Sequence, residues 1–120
     1  DSTILSYKII EDTRLDQTAI VDVTQGSGAL RTIEVDATAT NAGQNQYLKL
    51  KLTTSEVTVG TTIPDVVILC VAEKRFITAF PGGLPFTSLT AWLTSGEADS
   101  ATTNSEAAAT RYTIVRFVTT

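Results

Sequence analysis

Cys70 is the only thiol in the chain and so the first candidate for nucleophilic chemistry. A cysteine attacks as its thiolate, which enzymes usually generate with a neighbouring histidine or another cation. The sequence contains no histidine, so a Ser-His-Asp triad is also excluded. Cys70 stands in the apolar run VVILCV, between Leu69 and Val71. This pattern predicts a small core residue, and we expect no catalytic residue; a lone cysteine also excludes an internal disulfide.

Two groups of carboxylates are the next candidates, for metal binding or acid–base chemistry. One comprises Glu11, Asp12 and Asp16, and the other Glu97 and Asp99. A calcium site takes about six to eight oxygen ligands from a glycine-punctuated loop, and neither group has that spacing. Zinc ligands are too few without histidine. We therefore predict solvated loops, with no metal and no cofactor. A glycosidase using two carboxylates is the weakest alternative, because sugar-cleaving clefts usually carry several aromatics and this chain has one Trp.

Trp92 is the aromatic residue whose position allows the most varied roles. It alternates with Thr90 and Thr94, whereas Leu89, Ala91 and Leu93 point to the opposite face of the same strand-like run. Three interpretations follow: a core tryptophan with a satisfied indole N–H, an anchor buried at a subunit contact, or an exposed platform for a sugar ring. The sequence leaves the three open.

Two further features could take part in protein contacts. Lys74 and Arg75 form a basic pair in a turn, which is either a solvated hairpin tip or the partner of a carboxylate on another chain. Tyr7 lies in residues 1–10, which could be a first strand or an arm that pairs with a neighbouring chain. Trp92, Lys74, Arg75 and Tyr7 are therefore our candidate interface residues.

The elements that position these residues are predicted to be strands of one domain spanning residues 1–120. Threonine supplies nearly a fifth of the chain, valine and isoleucine are frequent, and methionine is absent. Such β-branched side chains suit a pleated surface. The net charge is −4 with nine scattered Lys and Arg, so we expect no nucleic-acid partner. No apolar run is long enough to span a membrane, and we expect no membrane partner.

Alternation and turn residues predict about eight short strands, at residues 3–10, 19–24, 30–40, 47–52, 66–71, 75–80, 88–94 and 111–118. We expect the wholly apolar 66–71 to be a central strand covered on both faces, with 75–80 as its hairpin partner. The tetrad at 80–83 suits a type II turn. Residues 95–110 form a long polar loop. This spacing favours an all-β, antiparallel β-sandwich or jelly roll.

Four stretches resemble a pattern found in small structural proteins of tailed-phage virions. They are YLKL at 47–50, TVGT at 58–61 followed by Pro64, FPGGLPF at 80–86 and GEADSATT at 96–103. The chain departs from the pattern at Lys51 and Cys70, and residues 1–40 lie outside the resemblance. The motifs are turns and strands without reactive groups, so the resemblance implies no catalytic residue.

The resemblance implies a compact β-sandwich on the virion, most simply a capsid decoration (cement) protein that stabilises the assembled shell of the major capsid protein. We expect a homo-oligomer, a trimer, on the capsid surface. Residues 1–10 and 95–110 are then the parts expected to reach neighbouring subunits. The alternative is a tail, fibre or adhesin module that recognises surface glycans, which requires an exposed Trp92.

Overall fold

The chain forms two antiparallel sheets in a computed structural model that describes residues 7–21, 23–24, 26–105 and 110–120. None of these residues lies in a helix, and seven strands account for the regular structure. One sheet, sheet A, has the order β1-β7-β2-β5, and the other, sheet B, has the order β4-β3-β6. The strands are β1 (Lys8–Asp12), β2 (Gly28–Asp36), β3 (Gln46–Lys51), β4 (Val66–Cys70), β5 (Arg75–Phe86), β6 (Thr90–Thr94) and β7 (Ile114–Thr119). The predicted all-β, antiparallel class is confirmed.

One apolar core joins the inner faces of both sheets. Sheet A contributes alternate residues of its two middle strands, and sheet B contributes Leu48 and Leu50 from β3 with Leu93 from β6. The sheet A residues are Leu30, Ile33, Val35, Val115 and Phe117, all fully buried. A period of two places Ile33 with Val35, and Val115 with Phe117, on one face of their strands, and the register shift between Leu30 and Thr32 brings Leu30 to the same face as Ile33. Burial of this shared layer is therefore what holds the two sheets together.

The segment at 19–24 was predicted to be a strand, and the described part of it forms one isolated bridge instead. Ile20 pairs with Ala91 of β6 through two backbone hydrogen bonds of 2.9 and 3.1 Å. Val23 N donates to Leu89 O, and Leu93 N donates to Asp16 O. The segment therefore follows the free edge of β6 and covers it. Of the predicted first strand and arm, Tyr7 to Ile10 are described, and residues 1–6 lie outside the described residues.

The prediction of a central, doubly covered strand at 66–71 is wrong. Among the strands that the structure describes, β4 lies at the edge of sheet B and pairs with β3 alone. The predicted hairpin between residues 66–71 and 75–80 is wrong as well, because β5 crosses to sheet A and pairs with β2. A run of uniformly apolar residues carries no alternation, so the sequence could not show which of these side chains face the core.

The four residues FPGG at 80–83 were predicted to form a type II turn after a strand at 75–80. They lie instead within β5, where they form a bulge. Ala79 pairs with Thr32 and Leu84 with Leu30, so β5 has four residues (80–83) where β2 has only Arg31. Gly82 and Gly83 take φ values of 81° and 83° within this bulge. The bulge lets one long strand change register along β2 and continue to Phe86.

Gly83→Ala is expected to destabilise the fold more than Gly82→Ala. Both positions have positive φ, which costs an alanine about 1–2 kcal/mol. A Cβ at Gly83 would also lie 2.9 Å from Ala29 Cβ, whereas a Cβ at Gly82 would meet nothing within 4 Å. Urea unfolding of the two variants measures the difference. Equal losses would show that the close approach of β5 to Ala29 does not constrain Gly83.

A ladder of charges crosses the outer face of sheet A. Arg116 on β7 donates to Glu34 of β2 at 2.8 Å and to Glu11 of β1. These two carboxylates raise the pKa of Arg116 through hydrogen bonds and charge, so the guanidinium stays charged throughout the accessible pH range. Arg75 of β5 extends the ladder to Glu34 at 3.4 Å and Asp36 at 3.7 Å. These ion pairs therefore link all four strands across the solvent-exposed face of sheet A.

Candidate protein-binding surface

A stripe of exposed apolar side chains runs along the outer face of β4. Val67, Leu69 and Val71 are 43%, 46% and 40% exposed, and their spacing of two places them on one side of the strand. Val66, Ile68 and Cys70 point the other way, toward the core. We call Val67, Leu69 and Val71 the β4 stripe. Sequence reasoning missed it, because it took the run for a doubly covered strand.

None of the described residues pairs with the outer backbone edge of β4, and the sequence of β4 does not protect that edge. Natural sheet edges usually carry charges, proline or a bulge that prevent pairing with another chain. Among the described edge strands, β1 carries Lys8, Glu11 and Asp12, and β5 carries Arg75 with its prolines and bulge. The free edge of β6 is covered by the segment around Ile20. β4, with the sequence VVILC, has none of these features.

Lys74 and Arg75 lie at the connection between β4 and β5, at one end of this open side. The connection is not a hairpin tip, because its two strands belong to different sheets. It is held to the end of β2, since Glu73 N donates to Ala37 O and Ala37 N donates to Lys74 O. The acidic partners of Arg75 are Glu34 and Asp36 of its own chain. Both basic residues are nevertheless exposed, and a partner could contact them.

Tyr7 is exposed but far from Lys74 and Arg75. It precedes β1 at the end of sheet A where Lys8 pairs with Thr119, whereas Arg75 pairs with Asp36 at the opposite end of β2. β1 and β5 are also the two opposite edges of the sheet. The structure therefore brings Lys74 and Arg75 together beside β4 and leaves Tyr7 at the diagonal corner.

Trp92 is fully buried, on the outer face of sheet B rather than in the shared core. It lies beside Lys49 in the register of β3 and β6. The first part of the polar loop crosses this face, because Lys49 Nζ donates to Ala98 O at 2.6 Å. The turn at 58–62 abuts the same loop, since a Cβ on Gly60 would lie 2.4 Å from Thr102 Cγ2. The loop therefore lies over the face of sheet B that carries both Lys49 and Trp92. No aromatic platform for a sugar is formed there.

Lys49 is a buried cation that lies beneath the loop at 95–105. Its side chain has no exposed surface, and burial lowers the pKa of its ammonium group while the charge of Asp99 works against that shift. The alternation of apolar and charged residues along 47–52 points Lys49 away from the shared core, and its hydrogen bond to Ala98 O holds it beneath the loop. The loop at 95–105 thus folds back on its own sheet while the side chains of Glu97, Asp99 and Ser100 remain exposed. Residues 106–109 lie outside the described residues.

Cys70 is buried, as its apolar neighbours predicted. Burial raises the pKa of its thiol to about 12, and a hydrogen bond from the Leu48 backbone only partly opposes the shift. The thiol is therefore protonated at neutral pH and is a poor nucleophile.

This burial predicts a loss of stability at alkaline pH. The unfolded thiol ionises near its ordinary pKa of 9.0, so the unfolded state loses its proton first, and the free energy of unfolding falls from pH 9 upward through 12. At pH 10 the loss is about 1.4 kcal/mol. Denaturant unfolding at pH 8 and pH 10 should show this extra loss in the wild type and not in Cys70→Ala. An equal decrease in both proteins would contradict it.

The carboxylate groups serve local turns and the charge ladder. Asp12 Oδ1 accepts a hydrogen bond from Arg14 N, and Asp16 Oδ1 accepts one from Thr18 N, each at 2.8 Å. Glu97 and Asp99 lie exposed in the loop. Within the described ranges, no three His, Cys, Asp or Glu side chains gather where they could hold a metal ion.

Surface depressions on the described chain are shallow. One of about 340 Å³ lies at the β5 edge and is lined by Glu34, Arg75, Phe76 and Ile77. Another of about 230 Å³ is lined by Arg14, Leu15, Asp16 and Tyr112. Their volumes lie at or below the lower end of the range for small-molecule sites, about 300–1,000 Å³. The β4 stripe with its open edge is therefore the feature best suited to binding, and what it suits is another polypeptide.

Comparison with known protein families, curated proteins and solved structures finds no significant match to this chain. The described residues include no helix long and apolar enough to cross a bilayer.

Proposed function

We propose that this chain is a structural protein of a tailed-bacteriophage virion, a capsid decoration protein that binds the assembled shell of the major capsid protein and stabilises it. The observation that carries the proposal is the β4 edge, which is open, apolar and unprotected. Exposed apolar stripes and free strand edges are typical of surfaces that another protein covers. The proposal assigns no catalytic residue, cofactor or metal, and places the protein on the capsid surface.

The positions of the phage-like motifs support this proposal. Residues 47–50 lie in β3, the middle strand of sheet B, and residues 80–86 form the bulged half of β5. The motifs at 58–61 and 96–103 meet each other where Gly60 approaches Thr102. The stretches that carry the resemblance therefore lie in β3 of sheet B, in the turn and the loop that meet at Gly60 and Thr102, and in the bulged half of β5.

The fold we infer with this function is an eight-stranded jelly roll. In that fold, the first, eighth, third and sixth strands form one sheet and the second, seventh, fourth and fifth form the other. The order here is β1-β7-β2-β5 against β4-β3-β6, with the segment around Ile20 along β6. Counting that segment as the second strand gives the jelly-roll order in both sheets. Viral capsid domains commonly use this fold, although fold alone does not assign a function.

The physical mechanism is stabilisation by mass action. A protein that binds only the assembled shell lowers its free energy by RT ln(1 + [L]/Kd). A homo-oligomer, which we propose to be a trimer on a local symmetry axis, multiplies weak contacts through avidity. The glycan-binding alternative relied on an exposed Trp92, and the burial of that side chain leaves no observation that favours it.

Particles assembled without this chain test the proposal. They should rupture at lower temperature or under milder osmotic shock than complete particles, and purified chain added back should restore their stability. Rupture at the same temperature and osmotic step, with and without the chain, would contradict a decoration role.

A further inference from the structure

The polar loop over sheet B has the construction of a lid, and we propose that residues 96–103 open as one unit while both sheets stay folded. We call residues 96–103 the strap. It lies over the outer face of sheet B, where Lys49 Nζ donates to Ala98 O at 2.6 Å. Opening of the strap would uncover the Lys49 side chain. This inference goes beyond the proposed function and does not rest on it.

The two ends of the strap are joined by a neck that does not depend on its middle. Ser95 N donates to Thr103 O at 2.9 Å, and Ser105 N donates to Ser95 Oγ at 2.8 Å. Asn104 fixes this neck to the sheet, since its Nδ2 donates to Gln46 Oε1 at 2.8 Å. Compact loops whose ends meet in this way are Ω-loops, which are frequently functional. The middle of the strap can therefore move while its ends stay attached.

The strap also holds its own shape. Ala101 N donates to Ala98 O at 3.0 Å, which closes a turn, and a Cβ at Gly96 would lie 3.0 Å from Ala101 Cβ. These contacts are internal to the strap and would persist when it opens. None of residues 96–103 is buried, and two alanines supply the only apolar side chains among them. The strap therefore buries little apolar surface of its own.

The groups beneath the strap are poorly satisfied while it is closed. Lys49 is fully buried and its ammonium group has three donors, but Ala98 O is its one acceptor among the described residues. The indole N–H of Trp92, beside it in the register, has no partner among those residues. Burial of such groups costs free energy that water returns on opening, although exposure of apolar surface opposes it. We therefore expect the strap to open far more readily than the sheets unfold.

Opening changes the surface that the protein offers. In the register of sheet B, Val67, Lys49 and Trp92 form one row across the outer face. Val67 belongs to the β4 stripe and is already exposed, whereas the other two side chains are buried. An open strap would extend the stripe from β4 toward β6, first by a cation and then by an aromatic ring. The strap thus regulates the extent and the charge of this surface.

Chemical labelling of Lys49 measures the opening directly. An amine-reactive reagent such as acetic anhydride reaches Lys49 only when its cover has moved, and mass spectrometry gives the rate. Protection is the labelling rate of the unfolded chain divided by that of the folded protein. Urea unfolding gives the protection that global unfolding alone would produce. We expect the protection of Lys49 to be at least about 100-fold lower than this limit. Protection equal to the limit would overturn the inference.

A wedge under the strap provides a second test. A Cβ at Gly60 would overlap Thr102 Cγ2, so Gly60→Asn should push the strap away and speed the labelling of Lys49 by about 10-fold or more. Gly43→Asn is the matched control, because Gly43 also has positive φ, 74° against 90°, and its Cβ would meet nothing within 4 Å. Asparagine is used because it tolerates positive φ better than most residues.

Circular dichroism checks that both variants are folded, and Gly60→Ala with Gly43→Ala replaces the pair if either asparagine variant is not. Faster labelling in the Gly60 variant alone would support the lid. Equal labelling rates in the two variants would mean that reagent reaches Lys49 by a route other than the strap, and would overturn the inference as well.

Discussion

Replacing Trp92 with alanine is expected to lower the free energy of unfolding by about 3–5 kcal/mol, the range for a large buried aromatic. The side chain is fully buried and lies beside Lys49 beneath the loop at 95–105. Its removal leaves a cavity between sheet B and this cover, so the loop should loosen as well. Urea unfolding measures the first effect. Faster hydrogen exchange at Ser95, whose N–H donates to Thr103 O at 2.9 Å, measures the second.

Trp92→Phe is the matched control for this prediction. The indole Nε1 has no hydrogen-bond partner among the described residues, so the phenyl ring loses volume without breaking a bond. We expect it to cost roughly 1–2 kcal/mol. If Trp92→Ala cost no more than Trp92→Phe, the side chain would be only loosely packed, and the loop could not be its cover.

Phe117→Ala is expected to produce a second loss of about 3–5 kcal/mol, through the other layer of the molecule. Phe117 is fully buried on β7 and stands between Ile10 of β1 and Ile33 of β2 in the sheet A register. The cavity would therefore open in the core that both sheets share. Urea unfolding against Ile77→Ala, a truncation at a position that is 66% exposed, separates core packing from simple loss of a side chain.

Ile77→Ala should change the free energy of unfolding by no more than about 0.5 kcal/mol. Because domains of this kind are stable by only about 5–15 kcal/mol, Phe117→Ala could leave little folded protein at 25 °C. Phe117→Leu then gives a graded substitute, with an expected loss of under about 1.5 kcal/mol. A Phe117→Ala protein as stable as Ile77→Ala would place Phe117 outside the shared core.

The parts of the fold that alternate in sequence were predictable, and the uniformly apolar part was not. In residues 33–40 and 47–52 apolar and polar side chains alternate, a pattern that by itself indicates Ile33, Val35, Leu48 and Leu50 as core residues, and all four lie in the core. β4 offers no alternation, so its edge position and its exposed stripe followed only from the pairing of strands far apart in sequence. The two glycines of the tetrad predicted positive φ, but whether the chain turns or bulges depends on the partner strand β2.

The candidate surface was predicted only in part for the same reason. Lys74 and Arg75 were chosen by their charge and lie exposed beside β4, whereas Trp92 was chosen by its type and is buried by a loop distant in sequence. The alternation along residues 47–52 predicts an outward Lys49, which the pairing of β3 with β6 places beside Trp92 on the outer face of sheet B. It could not show that the polar, threonine-rich loop at 95–105 folds over this face, because the loop has no periodic apolar pattern from which its position could be predicted.

The proposed binding of this protein to an assembled virion shell is tested most directly by observing the particles. Purified chain is added to particles assembled without it, the mixture is sedimented, and the bound chain is located by electron cryomicroscopy. We expect saturable cosedimentation, with copies at equivalent positions on the shell lattice and their β4 edges covered by protein. A chain that stays in the supernatant, or that decorates no symmetric site on the shell, would contradict it.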